Sequence, residues 1–141
     1  MPEPTTLRRT WRTIHVLLVV VSLLHLALVC AQPVLAGWSL DGAGVAIDLH
    51  GTNASILLTV SLLLIPLGVL WWHRDRRTVW APWLATSLFV AEFFQLQVGY
   101  SGIFVAHLPL GVAIVIGSLA LVVMVLRRPS SEPGRRQPTA T

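Results

Sequence analysis

Residues 51–78 read GTNASILLTVSLLLIPLGVLWWHRDRRT, an apolar run that ends in an Arg-rich hexapeptide. A helix needs about 20 mostly apolar residues to cross the hydrocarbon core of a bilayer, and residues 51–72 meet that requirement. Arg residues that directly follow such a run are typical of the cytoplasmic end of a membrane span. This stretch therefore predicts a transmembrane helix that runs inward.

Three further apolar runs lie on either side of this one. We predict spans at about 13–32, 51–72, 79–100 and 103–126. All ten basic residues are Arg, and they occur only before the first span, between the second and third, and after the last. By the positive-inside rule these ends are cytoplasmic. The sequence thus predicts an all-α integral membrane four-helix bundle with both termini in the cytoplasm.

The composition of the chain excludes a soluble domain. The 141 residues are 55% hydrophobic and 11% charged, whereas soluble domains carry about 25% charged residues. A net charge of +4 is compatible with binding to nucleic acid. The Arg residues, however, lie only at the predicted cytoplasmic ends of the spans, so we expect no nucleic-acid partner. We expect a multi-pass protein of the plasma membrane, as in a bacterial inner membrane, with the lipid bilayer as its surroundings.

These patterns divide the chain into three parts. Residues 1–12 form a cytoplasmic N-terminal segment, 13–126 form the bundle, and 127–141 form a disordered cytoplasmic tail rich in Pro, Ser, Arg and Thr. Proline and glycines at 33–50 predict an outer loop. An alternative is a cleaved secretory signal, because Val34-Leu35-Ala36 before Gly37 resembles a signal cleavage site with a small residue at its end. The preceding apolar stretch is long for a signal and contains a histidine, which argues against cleavage.

Ionisable and amide side chains inside the spans come together at one depth. Such groups are costly in a bilayer and are functional hypotheses by default. At about 1.5 Å per helical residue, all of them fall in the outer half of the membrane although they come from four helices. The residues are His25, His50, Glu92, Gln95 and His107. The sequence therefore predicts a polar site in the outer half of the bundle.

His50 and His107 are the candidate metal ligands. In an up-and-down bundle the second and fourth helices are diagonal and parallel, so the two imidazoles can face each other. Such a pair suits the iron of a six-coordinate haem, and bundle cores commonly hold cofactors. The competing interpretation is a polar contact that only joins helices. We predict haem b between His50 and His107.

Other residues are expected to complete the cofactor site, namely His25, Asn53, Glu92, Gln95, Gly99 and Gly111. His25 has three open roles: ligand, hydrogen-bond partner, or lone polar residue of the core. Glu92 is expected to be neutral or paired, either as a proton carrier or bonded to His25 or Gln95. The glycines leave space for a flat ligand or let helix backbones approach closely.

Three short motifs resemble a known family. QLQVG at 95–99, VAHL at 105–108 and DLHG at 48–51 resemble one four-helix half of haem A synthase, and related small bacterial four-helix membrane proteins with two histidines. The resemblance covers about 45–125 and implies a haem on the outer side, with His50 and His107 as its ligands. The chain has one such half only, and Gly51 stands where the family has Arg. The resemblance therefore supports haem binding by this chain more strongly than it supports oxidation of a haem methyl group.

We predict a b-type, cytochrome b-like haem protein that transfers single electrons to or from a quinone or a respiratory partner complex. It could act as a homo-oligomer, and it is more an electron-transfer or accessory protein than a stand-alone enzyme. One alternative is a non-catalytic structural subunit of a membrane complex, in which the polar residues only join helices. Another is a metal or proton pathway lined by His25, His50, Glu92 and His107.

Overall fold

A computed structural model describes residues 5–127 of the chain. Its four α-helices are α1 (Thr5–Leu40), α2 (Gly44–Arg74), α3 (Trp80–Tyr100) and α4 (Phe104–Leu126). A short 3-10 turn at Arg76–Thr78 connects α2 to α3. The predicted tail, apart from Arg127, and the first four residues of the predicted N-terminal segment lie outside the described residues.

All four helices are long and apolar enough to cross a membrane. Only 28% of the most apolar 18-residue window of each helix is buried in the bundle, so most of the apolar surface faces outward. A helix on the surface of a soluble bundle would instead turn charged and polar residues outward. The predicted all-α four-helix bundle is confirmed, and its outer surface has the composition of a multi-pass membrane protein.

The helices pack in a ring, in which α1 contacts α2 and α4, and α3 contacts the same two helices. The diagonal pairs are therefore α1 with α3 and α2 with α4. Leucines from each helix fill the centre, namely Leu18, Leu64, Leu88 and Leu121. Short connections make neighbours antiparallel, so the two members of each diagonal pair run in the same direction. This topology lets side chains of α2 and α4 meet across the bundle.

The predicted outer loop at 33–50 is wrong. Helix α1 continues through Pro33 to Leu40, and the connection to α2 is only a turn at 41–43. Gly42 has a φ of +91°, a conformation that glycine adopts without steric cost. The chain reverses at this glycine and not at the proline. His50 consequently lies nearly two turns inside α2 and not at its start.

The other two connections are also short. Gly102, with a φ of +69°, reverses the chain between α3 and α4. At the opposite end of the bundle, the Asp75 carboxylate accepts a hydrogen bond from the backbone N–H of Arg77 at 3.0 Å. The Thr78 hydroxyl donates to the Asp75 carbonyl at 2.6 Å. These bonds satisfy backbone groups where α2 ends and α3 is about to begin.

Candidate functional site

His50 and His107 meet across the α2–α4 diagonal in the half of the bundle that holds the turns at Gly42 and Gly102. Their ring centroids are 6.3 Å apart, and the ring planes are inclined by 52°. Both residues are half-buried. The up-and-down topology thus brings together the two imidazoles that the sequence singled out as a pair.

Backbone carbonyls fix the tautomer of both rings. His50 Nδ1 lies 3.2 Å from the carbonyl of Gln32 on α1, and His107 Nδ1 lies 3.1 Å from the carbonyl of Gln95 on α3. A carbonyl only accepts, so Nδ1 carries the proton and Nε2 keeps its lone pair. Between residues 5 and 127, neither Nε2 forms a hydrogen bond. A histidine held this way has the tautomer and fixed orientation of a metal ligand.

The separation of the rings fits one shared metal ion. Imidazole nitrogens bind metals at about 2.0–2.1 Å, which places the centroids of two opposed rings roughly 6 Å apart. The observed 6.3 Å agrees. Within the described part of the chain, no group of three or more His, Cys, Asp or Glu could hold a metal ion. The described residues thus offer two imidazoles at this place and no third ligand of these types.

Gln95 fixes His107 to α3 through two hydrogen bonds. Its side-chain Nε2 donates to the His107 carbonyl at 2.9 Å, while its own carbonyl accepts from His107 Nδ1. A Cβ atom at Gly99 would lie 2.9 Å from His107 Cε1, and one at Gly111 would lie 3.0 Å from Gln95 Nε2. Both glycines therefore serve close approach, because the imidazole and the amide occupy the space beside them.

A second polar pair crosses the other diagonal. His25 Nε2 on α1 lies 2.6 Å from Glu92 Oε1 on α3, and the two residues are 0% and 5% exposed. His25 is thus the hydrogen-bond partner of Glu92, which resolves the three roles left open by the sequence. His25 lies seven residues before Gln32 on α1, or about 10 Å along the axis. The pair therefore lies deeper in the bundle than His50 and His107.

Asn53 joins α1 to α2 between these two levels. Its Nδ2 donates to the Leu28 carbonyl at 2.9 Å, and it lies one turn below His50 on α2. The hydrogen bond satisfies a side-chain amide that would otherwise be costly in an apolar bundle. Asn53 therefore sets the register of α1 against α2 beside the site and makes no hydrogen bond to either histidine of the α2–α4 pair.

Four buried polar atoms around the two pairs have no hydrogen-bond partner among residues 5–127. They are His25 Nδ1, Gln32 Oε1, Glu92 Oε2 and Gln95 Oε1. Nearly all buried polar atoms of proteins are hydrogen-bonded, and one left unpaired costs about 1–3 kcal/mol. All four belong to α1 and α3, the helices that flank the His50–His107 pair. Such a cluster of unpaired polar atoms is typical of a binding site, because the polar atoms of a core that binds nothing are nearly all hydrogen-bonded.

The sequence did not single out Gln32, whose carbonyl holds His50. The available signal was its spacing: Gln32 follows His25 by two helical turns, so both residues share one face of α1. His15 is a further buried histidine, in the other half of the bundle. It is buried at the Arg-rich end, with Nε2 3.1 Å from the Val125 carbonyl and its ring stacked on Trp71 at 4.6 Å.

Aromatic and Arg side chains pair at the same end of the bundle as His15. The Arg74 guanidinium lies 5.9 Å from the centroid of the Trp11 ring, and that of Arg76 lies 4.9 Å from the Trp72 ring. Such contacts attract the cation to the face of the indole. The Arg-rich ends predicted to be cytoplasmic therefore gather at the end opposite to the His50–His107 site.

The chain was compared with protein-family models, with curated proteins and with solved structures, and none of them matches it. The resemblance to a half of haem A synthase therefore stays a prediction that depends on its short motifs.

Proposed function

We propose that the protein binds one b-type haem between His50 and His107 and transfers single electrons. One observation carries this proposal: two imidazoles on diagonal helices stand 6.3 Å apart, each with Nδ1 at a backbone carbonyl. Haem, when bound, supplies an iron that accepts and releases one electron. Because both axial positions would be filled by histidine, electron transfer is favoured over reactions that need an open coordination position.

The residues around the two ligands have defined tasks in this proposal. The carbonyls of Gln32 and Gln95 accept the Nδ1 hydrogens and so orient both rings, which leaves both Nε2 lone pairs available to the iron. The Gln95 side chain ties the start of α4 to α3. The site is thus positioned by helix backbones and not by loops, which limits the rearrangement that accompanies a change of iron charge.

We propose that the chain spans the plasma membrane with both termini in the cytoplasm. The support is the distribution of charge: every described Arg lies at one end of the bundle, at 8–12, 74–77 and 127. Trp11 and Trp72 accompany them, as expected at a membrane interface. The histidine pair then lies in the outer half of the membrane.

We propose a quinone or a membrane-bound respiratory complex as the redox partner. Apolar side chains at the start of α4 are turned outward beside His107, where Phe104 is 65%, Val105 85% and Leu108 67% exposed. In a bilayer such a surface meets lipid, so a lipid-soluble or membrane-embedded partner reaches the site without crossing water. A homo-oligomer formed through the same surface would shield the site from that partner.

The proton or metal pathway remains a second candidate, but two observations disfavour it. His25 and Glu92 bind each other, and the buried serines are engaged within their own helices. The Ser22 hydroxyl donates to the Leu18 carbonyl at 2.6 Å, and that of Ser118 donates to the Ile114 carbonyl at 2.7 Å. Because these hydroxyls donate to backbone carbonyls, they do not donate to a neighbouring group along a pathway through the deeper half of the bundle.

The test is an optical spectrum of detergent-purified protein from cells supplied with haem, oxidised and then reduced with dithionite. We expect a sharp α-band on reduction in the wild type, and its loss in His50→Ala and in His107→Ala. His73→Ala is the matched control, because His73 is exposed near the far end of α2. Added imidazole should restore part of the band in the two ligand variants. A colourless wild-type protein would favour a structural subunit instead.

A further inference from the structure

The His25–Glu92 pair has no ligand role in the proposed haem site, yet it is the most deeply buried polar contact between α1 and α3. Both residues are almost completely inaccessible, and their contact is 2.6 Å. Each keeps one further buried atom, His25 Nδ1 or Glu92 Oε2, without a hydrogen bond to any described residue. A pair retained only to join helices would not leave two polar atoms unsatisfied.

The charge of this pair depends on one proton. With that proton, the pair is either a carboxylic acid and a neutral imidazole or a carboxylate and an imidazolium, and both forms have zero net charge. Without it, the pair is a carboxylate beside a neutral imidazole, with a net charge of −1. Burial in a low-dielectric core disfavours a net charge unless an opposite charge lies nearby.

We propose that the pair takes up one proton when the iron of the bound haem is reduced. The inference rests on the proposed function. The porphyrin–iron unit carries one net positive charge when oxidised and none when reduced, so one electron from an external one-electron donor removes the charge that stabilises the deprotonated pair. One proton from the outer aqueous side then joins His25 Nδ1 or Glu92 Oε2, the atoms of the pair without a partner among residues 5–127, because Nε2 and Oε1 already share the hydrogen of their bond. The electron and the proton together leave the buried charge unchanged.

The strength of the coupling between the iron and the His25–Glu92 pair follows from the distance between their two levels along the helices. Gln32, whose carbonyl holds His50, lies about 10 Å above His25, and Gln95 lies about 5 Å above Glu92. Two unit charges roughly 10 Å apart at an effective dielectric constant of about 20 change a proton affinity by about tenfold. The electron at the iron and the proton at the pair should therefore be coupled by about that factor.

The outer side is the favoured source of the proton. Gln95 lies one turn above Glu92, and both Gln32 and Gln95 offer buried side-chain carbonyls without partners among residues 5–127. Below the pair, the Ser22 and Ser118 hydroxyls donate within their own helices. The titratable groups on the elements around the pair are His50 on α2 and His107 on α4, His15 at the Arg-rich end, and exposed Asp41, Asp48 and Tyr100 at the outer end.

The test is the midpoint potential of the haem protein, measured by spectroscopic titration at a series of pH values. Protonation favours the reduced form, so the wild-type potential should fall as the pH rises. A tenfold coupling corresponds to a total change of about 59 mV for one electron. In Glu92→Gln, which keeps a hydrogen-bond partner for His25, the change should vanish. Asp41→Asn, which removes an exposed carboxylate, should keep it.

A second readout needs no variant. Reduction of the wild-type protein should produce an infrared difference band from the pair, which shifts when glutamate is labelled with carbon-13. A potential that does not depend on pH, or a pH dependence that persists in Glu92→Gln, would overturn the inference while leaving haem binding intact. Purified protein without haem would overturn both the inference and the proposed function.

Discussion

Gly99 is the residue on which the orientation of His107 depends most directly. The imidazole lies in the space that a side chain at position 99 would fill, with Cε1 2.9 Å and Nδ1 3.1 Å from the place of a Cβ atom. Because the Nδ1 hydrogen bond runs to the same helix, the ring cannot move away from α3 without losing that bond. The packing and the tautomer of His107 are therefore both set by contacts with α3.

We expect Gly99→Ala to weaken haem binding by about tenfold or more, since overpacking a close contact costs about 1–3 kcal/mol. The measurement is the haem-to-protein ratio of the purified variant, together with the amplitude of the α-band. Gly37→Ala is the matched control, because a Cβ atom there meets nothing within 4 Å. Equal haem content in the two variants would contradict this account of His107.

At the residue scale, the sequence could predict which polar side chains lie in the same half of the bundle but not all of their partners. The pairing of His50 with His107 followed from depth and topology. The pairing of His25 with Glu92 stayed open, because it depends on how closely the diagonal helices approach. The carbonyls of Gln32 and Gln95 could not be found from residue types, since every residue carries a carbonyl and only the register of the helices selects one.

Helices α2 and α3 approach each other closely at Gly68. A Cβ atom there would lie 2.9 Å from the backbone nitrogen of Pro82 and 3.1 Å from its Cα. These are backbone atoms, so no side-chain rotation can relieve the contact. Gly68 is fully in the buried face of α2, and the two helices must shift apart to admit even a methyl group.

We expect Gly68→Ala to lower the free energy of unfolding by about 1–3 kcal/mol. Gly51→Ala on the same helix is the control, because its Cβ atom would meet only the Tyr100 hydroxyl at 3.9 Å. The comparison is made by unfolding both variants in mixed micelles with increasing sodium dodecyl sulfate. Similar midpoints for the two variants would mean that the α2–α3 contact is looser than described.

At the element scale, the number and type of helices could be predicted, but one connection could not. Pro33 and the nearby glycines favoured a long outer loop, whereas α1 continues to Leu40. A proline inside a helix removes one hydrogen bond and is tolerated in membrane helices. The glycine that ends the helical run is Gly42, and its φ of +91° is not visible in the residue type alone.

The whole molecule separates charge along its long axis. The described Arg residues gather at one end with the indoles of Trp11 and Trp72, while the turn at 41–43 and the exposed acids Asp41 and Asp48 lie at the other. This asymmetry is the basis for placing the histidine site toward the outside of the cell.

We expect single cysteines to report this orientation in a Cys30→Ala background, which removes the only cysteine of the chain. A membrane-impermeant maleimide added to spheroplasts should label Asp41→Cys, because Asp41 is exposed in the turn at 41–43. It should label Arg76→Cys only after the membrane is permeabilised, because the positive-inside rule places that turn in the cytoplasm. The reverse pattern would place the histidine pair in the cytoplasmic half and would also reverse the side from which the proton is taken.

The proposed function requires that His50 and His107 hold the iron of one haem between them. The most direct measurement is the low-temperature electron paramagnetic resonance spectrum of the oxidised, purified protein. The account predicts a low-spin ferric signal in the wild type and in His25→Gln, and a high-spin signal or loss of haem in both His50→Ala and His107→Ala. A wild-type protein without a ferric haem signal, or a low-spin signal that survives the loss of His50 or His107, would contradict it.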